Sequence, residues 1–290
     1  MSGELTRRRF LAGGMAAGAS ILSARIQGAG QQAAATSAAP DQANWIVDSH
    51  AHLKHGDAAR TEYSPEVIVD TMDKVGIAKS VVFAMSTTTQ RSIEMAERAV
   101  KKYPDRLIPY VYALPHYERP VIKEIERALS GGLFRGIKIH VGECTLADYV
   151  IDPVLKLAGK RNVPCLIDLG GRYADAKRMA AAFPETKLIV AHMGRYLSTD
   201  RNLIDQFIGL AENCANVLLD VSGVVVLEKI VEAVRKIGST RLIWGTDGPH
   251  EKPDTVGFAR TELNKITQLD LPEQDKRNIL RQSIVGLLRL

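Results

Sequence analysis

The chain has 290 residues, 46% of them hydrophobic and 24% charged, enough to bury a full core and too apolar for a disordered protein. Its formal charge of +5 falls to +3 when residues 1–24, which carry Arg7, Arg8, Arg9 and Glu4, are set aside; that is too little and too scattered for nucleic-acid binding. Three cysteines at unrelated spacings, Cys144, Cys165 and Cys214, exclude a disulfide framework and a paired-cysteine zinc or redox motif, and no apolar run reaches the ~18 residues of a membrane helix.

Residues 1–24 open with Thr6-Arg7-Arg8-Arg9-Phe10-Leu11, followed by a mildly apolar stretch from Ala12 to Leu22 rich in Gly and Ala. This resembles a twin-arginine export signal, which implies the export machinery as a partner, a periplasmic destination and transport of an already folded chain. Residues 25–44, dominated by Ala, Gln and Gly, read as a flexible linker with no stable membrane anchor. A single domain is expected over residues 45–290.

From Trp45 onward, short β-branched runs alternate with helical patterns. The runs begin near Trp45, Lys79, Arg106, Phe134, Val163, Lys187, Asn216 and Arg241, spaced 24 to 34 residues apart, which leaves room for one strand, one helix and two loops each time. Helices are expected over Ser64–Val75, Thr87–Lys102 and Val226–Ile237. Eight such units in about 250 residues match a closed (β/α)8 TIM barrel better than an open, doubly wound sheet. A last helix, Pro272–Leu288, carries a stripe of Ile279, Leu280, Ile284 and Leu287 that is expected to dock on the outside of the barrel.

In such a barrel, reactive groups collect at the carboxyl ends of the strands. The first strand ends in His50-Ala51-His52, two imidazoles on one side that can converge on a cation such as zinc. On the fourth, Lys138 and His140 face one way; Lys138 reads as an internal ion pair with Asp48 or another lumen carboxylate, as a substrate contact, or as a carboxylated lysine bridging two metals. The fifth places Asp168 within an apolar run, able to ligate metal, pair with Lys138 or Arg172, or orient a histidine. The sixth delivers His192 and the eighth Asp247. Arg172 and Arg195, each just past a strand end, are candidates to hold a substrate carboxylate, or surface ion pairs. His250 and Cys144 lie in loops of the same face, and Cys144 has no base beside it that would make it a nucleophile.

His50-Ala51-His52, Gly136-Ile-Lys-Ile-His140, Ala191-His-Met-Gly194 and Gly245-Thr-Asp-Gly-Pro-His250 together resemble the amidohydrolase superfamily, and within it the amidohydrolase-related branch of hydrolases, lactonases and nonoxidative decarboxylases. The resemblance implies that His50, His52 and Asp247 ligate a divalent metal, zinc or alternatively manganese. It makes Asp247 the proton acceptor beside a water, and His192 an acid or base. In one respect the chain departs from the family: Asp168 stands where a ligating histidine is usual. It is expected to serve as an oxygen ligand; otherwise His140 substitutes, or the site works without metal, as in some lactonases of the branch. The substrate-binding set is then Lys138, His140, Arg172, Arg195 and His250. Three functions follow: metal-dependent hydrolysis of an ester, lactone or amide of a small carboxylate-bearing molecule; metal-dependent decarboxylation of an aromatic or unsaturated acid; or a metal-free exported ligand-binding barrel.

Overall fold

The computed structural model describes residues 45–290. The export signal and linker expected over residues 1–44 lie outside the described residues. Eight parallel strands follow one another around a barrel in chain order: β1 (Ile46–Lys54), β2 (Ile77–Ala84), β3 (Leu107–Tyr112), β4 (Gly136–His140), β5 (Cys165–Asp168), β6 (Leu188–Val190), β7 (Val217–Asp220) and β8 (Leu242–Ile243). Between them run α1 (Pro65–Val75), α2 (Thr89–Lys102), α3 (Ile122–Ser130), α4 (Asp148–Arg161), α5 (Tyr173–Ala182), α6 (Arg201–Asn213) and α7 (Glu228–Ile237), with α8 (Thr255–Thr267) after β8. The chain is a single-domain (β/α)8 TIM barrel over these residues.

Local chemistry sets the helix ends. The Ser64 hydroxyl accepts from Val67 N at the start of α1, Pro65 occupies its first turn, and Gly76 closes it at φ 89, a left-handed conformation that a glycine adopts without a Cβ clash. Thr88 and Asp254 cap α2 and α8 in the same way.

Strand alternation divides the apolar side chains into two cores. One fills the layer between strands and helices, with residues such as Val82, Ile137, Ile167 and Phe207. The other fills the lumen, with Val81, Phe83, Tyr110, Leu166, Ile189 and Ile243. Gly136 makes room there, because a Cβ at that position would lie 2.4 Å from the Tyr110 ring.

The C-terminal helix departs from expectation. It is α9 (Glu273–Arg277), a π-helical turn (Asn278–Gln282) and α10 (Ser283–Leu288) in succession. Ile279 joins the outer core, but Ile284 and Leu288 pack with the lumen residues. A stripe of apolar residues signals that a helix is buried, not which surface buries it. Here the open amino-terminal end of the lumen offers apolar surface that would otherwise face water.

Closure falls between β8 and β1. Ser49 N donates to Trp244 O at 3.2 Å, Asp247 N to His50 O at 2.8 Å and His52 N to Gly248 O at 2.7 Å. Gly245 permits this approach, since a Cβ there would lie 2.6 Å from His50 Cβ and 2.9 Å from His50 N. Neither atom is the end of a flexible side chain, so Gly245→Ala must push β1 and β8 apart. It is expected to cost about 3 kcal/mol, measured as a lower denaturation midpoint. A variant as stable as the parent would show that the seam is not tightly packed.

Candidate active site

At the carboxyl end of the barrel, the register shift in β1 between Asp48 and Ala51 turns His50 and His52 toward the axis, their ring centroids 5.2 Å apart. Across the seam, β8 leaves its ladder after Ile243 and carries Asp247 at φ 58. His192 follows β6 at φ 58, in a run with Met193 at φ 48 and Gly194 at φ 112. Left-handed backbone at a histidine and an aspartate costs energy that the surrounding packing must offset, and such strain gathers at functional positions.

Three donors meet between these strands. Asp247 Oδ1 lies 3.0 Å from His50 Nε2 and 3.0 Å from His52 Nε2. These spacings approach those of neighbouring ligands on an ion with bonds of ~2.0–2.2 Å. Burial lowers the pKa of His50 and lowers that of His52 well below the ordinary histidine value, which leaves lone pairs for coordination. Burial works against the charge of Asp247, but His50, His192 and the His52 hydrogen bond hold it well below the usual carboxylate range. Two neutral imidazoles and a carboxylate form a donor set that fits zinc or a similar divalent ion.

A second group, His50, His192 and Asp220, is close-packed in a different way. The Ser222 hydroxyl sits among its atoms, donating to Asp220 Oδ2 at 2.6 Å and lying 3.3 Å from His50 Nδ1 and 3.1 Å from His192 Nδ1. That group is a hydrogen-bond cluster whose polar atoms already have partners. Sequence reasoning missed Asp220. Its one signal was a carboxylate closing the apolar run Val217-Leu-Leu-Asp220, the same signal that drew attention to Asp168.

Asp168 lies outside both donor groups. Its Oδ1 accepts from Gly170 N at 2.9 Å, while Oδ2 lies 3.2 Å from His140 Nε2 and 3.4 Å from His192 Nε2. Burial opposes the charge on His192, yet Asp247, Asp168 and Asp220 outweigh it and lift that imidazole to about 9. The two imidazoles in turn hold Asp168 far below the usual carboxylate range against its own burial.

Lys138 is fully buried, and of the lumen carboxylates expected as ion-pair partners, Asp48 is engaged elsewhere. Asp48 accepts from Thr246 Oγ1 at 2.7 Å, Thr246 N at 2.9 Å and His50 N at 3.0 Å. Lys138 Nζ instead approaches His50 Nε2 at 3.0 Å and lies over the Phe83 ring at 5.3 Å. Burial lowers its pKa, and Asp168, Asp247, Asp220 and Glu143 restore part of the loss.

A cleft of about 240 Å3 opens onto this cluster, lined among others by His52, Lys138, His140, Asp168, His192 and Asp247. Tyr196 and Met85 add apolar wall, and His55 stacks on His52 at 4.2 Å. Arg172 and Arg195 do not line this cleft; both are exposed. The backbone turns away there, through Gly170 and Gly171 before Arg172 and through the left-handed run before Arg195. His250 also stands outside the lining, its ring tilted against His55 and edge-on to Phe258, with centroids 4.5 Å from each. Burial lifts the Cys144 thiol to about 11, which suits a packing role.

The family model described as Amidohydrolase matches residues 38–290. The chain belongs to the amidohydrolase family. Its barrel is similar to that of an amidohydrolase from Burkholderia multivorans with bound zinc, at a TM-score of 0.69 and 12% identity over 85% of this chain and 99% of that one. It is similar also to a probable 2-pyrone-4,6-dicarboxylic acid hydrolase from Acinetobacter baumannii with citric acid bound (TM-score 0.66, 17% identity, covering 84% and 99%). A third such structure is 5-carboxyvanillate decarboxylase from Sphingomonas paucimobilis (TM-score 0.66, 14% identity, 85% and 99%). These are likenesses of fold, and the neighbours include both hydrolases and decarboxylases. No curated protein matches the chain at a significant level.

Proposed function

We propose that this amidohydrolase-family enzyme hydrolyses an ester, lactone or amide bond of a small carboxylate-bearing substrate. The observation that carries the reading is the convergence of His50 Nε2, His52 Nε2 and Asp247 Oδ1 beside the cleft. His50, His52 and Asp247 would hold a divalent ion, zinc or manganese, whose Lewis acidity would polarise a carbonyl and lower the pKa of a water toward ~7. Asp247, anionic and within the same cluster, accepts the proton of the attacking water and passes it to the leaving group. His192, held as the imidazolium by Asp247 and Asp168, donates to the carbonyl oxygen as negative charge develops there. Lys138 and His140 on the cleft wall face the carboxylate of the substrate. The run Arg7-Arg8-Arg9-Phe10-Leu11 and the apolar stretch after it support export by the twin-arginine route to the periplasm.

One observation favours a second reaction on the same site. An imidazolium between Asp168 and Asp247 is equally suited to deliver a proton to carbon as a carboxylate leaves as carbon dioxide, which would make the enzyme a decarboxylase of an aromatic or unsaturated acid. The two part on products: hydrolysis consumes water, and decarboxylation releases carbon dioxide with no net water.

Elemental analysis of the purified protein is expected to find about one divalent ion per chain, and His52→Ala to lose it. Lactones, esters, amides and aromatic acids, assayed with zinc, manganese and cobalt, then decide between the reactions. A protein that holds no metal and responds to none of the three would overturn both and leave a ligand-binding barrel.

A further inference from the structure

Asp220 closes β7 with no solvent exposure, beneath the cleft. All of its neighbours donate to it: His192 N at 3.2 Å, Ser222 N at 3.1 Å and Ser222 Oγ at 2.6 Å, with His50 Nδ1 at 3.2 Å. A buried carboxylate is tolerated when its lone pairs are satisfied in this way.

Asp220 itself fixes where the proton on the His50 ring lies: its carboxylate oxygens can only accept, so Nδ1 at 3.2 Å carries the proton toward it. The other nitrogen, Nε2, lies 3.0 Å from both Lys138 Nζ and Asp247 Oδ1. His192 obeys the same constraint, because its Nδ1 lies 2.9 Å from the carbonyl of Ser222, which can only accept. Both rings thus keep a proton on Nδ1; Nε2 of His50 is directed at Asp247 and Lys138, and Nε2 of His192 at Asp168.

We propose that Asp220, locked by the Ser222 hydroxyl, is a positioning residue that fixes His50 as its Nδ1–H tautomer and seats His192 through its backbone N–H. A histidine so oriented offers its other nitrogen to a cation, and the carboxylate behind it raises the basicity of that nitrogen. The consequence for metal binding rests on the metal-dependent reading above; the tautomer does not. Asparagine at 220 would be nearly isosteric but could turn an amine toward Nδ1, favouring the opposite tautomer.

The test uses the full chain labelled with 15N-histidine, the His50 signal being assigned through His50→Ala. Zinc affinity is measured alongside, by competition with a chromophoric chelator. The wild type is expected to show the neutral Nδ1–H pattern at His50. Asp220→Asn is expected to lose that pattern and to weaken zinc binding by about 10- to 100-fold. Ser222→Ala, which removes only the lock, is expected to weaken it by less, roughly 3- to 10-fold. An Nε2–H pattern in the wild type would overturn the proposal, as would zinc binding by Asp220→Asn within twofold of the wild type. If Asp220→Asn does not fold, the wild-type spectrum and Ser222→Ala carry the same test. A wild type that binds zinc no better than His50→Ala would defeat the metal-dependent reading, and the tautomer pattern would still decide this one.

Discussion

Replacing Asp247 by asparagine is expected to lower kcat by about 10³-fold or more while the protein keeps its fold. Asparagine has the shape of aspartate and tolerates the left-handed conformation that residue 247 adopts at φ 58, so the backbone has no reason to move. Its amide oxygen can still meet the His52 and His50 nitrogens, which now lie 3.0 Å from Asp247 Oδ1. The charge and the ability to take up a proton are lost. In hydrolysis that proton comes from the attacking water, so steady-state kinetics on any substrate the enzyme accepts, with thermal melts beside them, separates a chemical loss from a structural one. Activity within tenfold of the wild type at unchanged stability would remove Asp247 from the chemistry. Asp247→Ala is a poorer probe, because it adds backbone strain to the chemical change.

Asp168→Asn is expected to affect stability and the protonation of His192 together. Asparagine can keep the bond from Gly170 N, but it replaces an anionic oxygen that lies 3.2 Å from His140 Nε2 and 3.4 Å from His192 Nε2. The pKa of His192, lifted to about 9, is expected to fall toward its ordinary value near 6.5. The pH dependence follows from the directions of the two shifts. A histidine whose pKa is raised on folding contributes stability that is complete below about 6.5 and lost as the pH climbs through about 9. A carboxylate whose pKa is depressed on folding contributes stability that is complete above about 3.8 and lost as the pH drops. The difference between wild type and variant is therefore largest between about pH 4 and 6.5, on the order of 3 kcal/mol, and shrinks toward pH 9. Denaturant melts across that range, with NMR titration of His192, measure both effects. A constant offset at every pH would mean that Asp168 contributes packing and not charge.

The two variants also separate two parts of the site. His50, His52 and Asp247 form the donor cluster, and Asp168 acts on the neighbouring imidazole. The sequence reading placed Asp168 among the metal ligands because a carboxylate at a strand end suits that role. Its carboxylate faces two histidines, His140 on the adjacent β4 and His192 after β6, and lines the same cleft as His52 and Asp247. Lys138 shows the same limit. A buried lysine demands a polar partner, and the chain holds several carboxylates that satisfy the demand on paper. Asp48 was the nearest in character, but its oxygens are taken by Thr246 and the His50 amide.

The linear chain determined the barrel and its reactive end. Spacing of apolar runs counts the β/α units without any contact information, and in a parallel barrel the chain direction alone decides which strand ends share a face. His50, His52, His192 and Asp247 were legible for that reason. Tertiary structure decided which nitrogen faces which oxygen, because Asp220 meets His50 across 170 positions and no local pattern encodes that meeting. It also decided which strand-end groups reach the cleft. Arg172 and Arg195 lie one residue or two past left-handed turns, and a single positive φ redirects a side chain by an amount that composition and periodicity do not record. The C-terminal helix is the third instance: its apolar stripe announced burial, and only the open end of the lumen determined where.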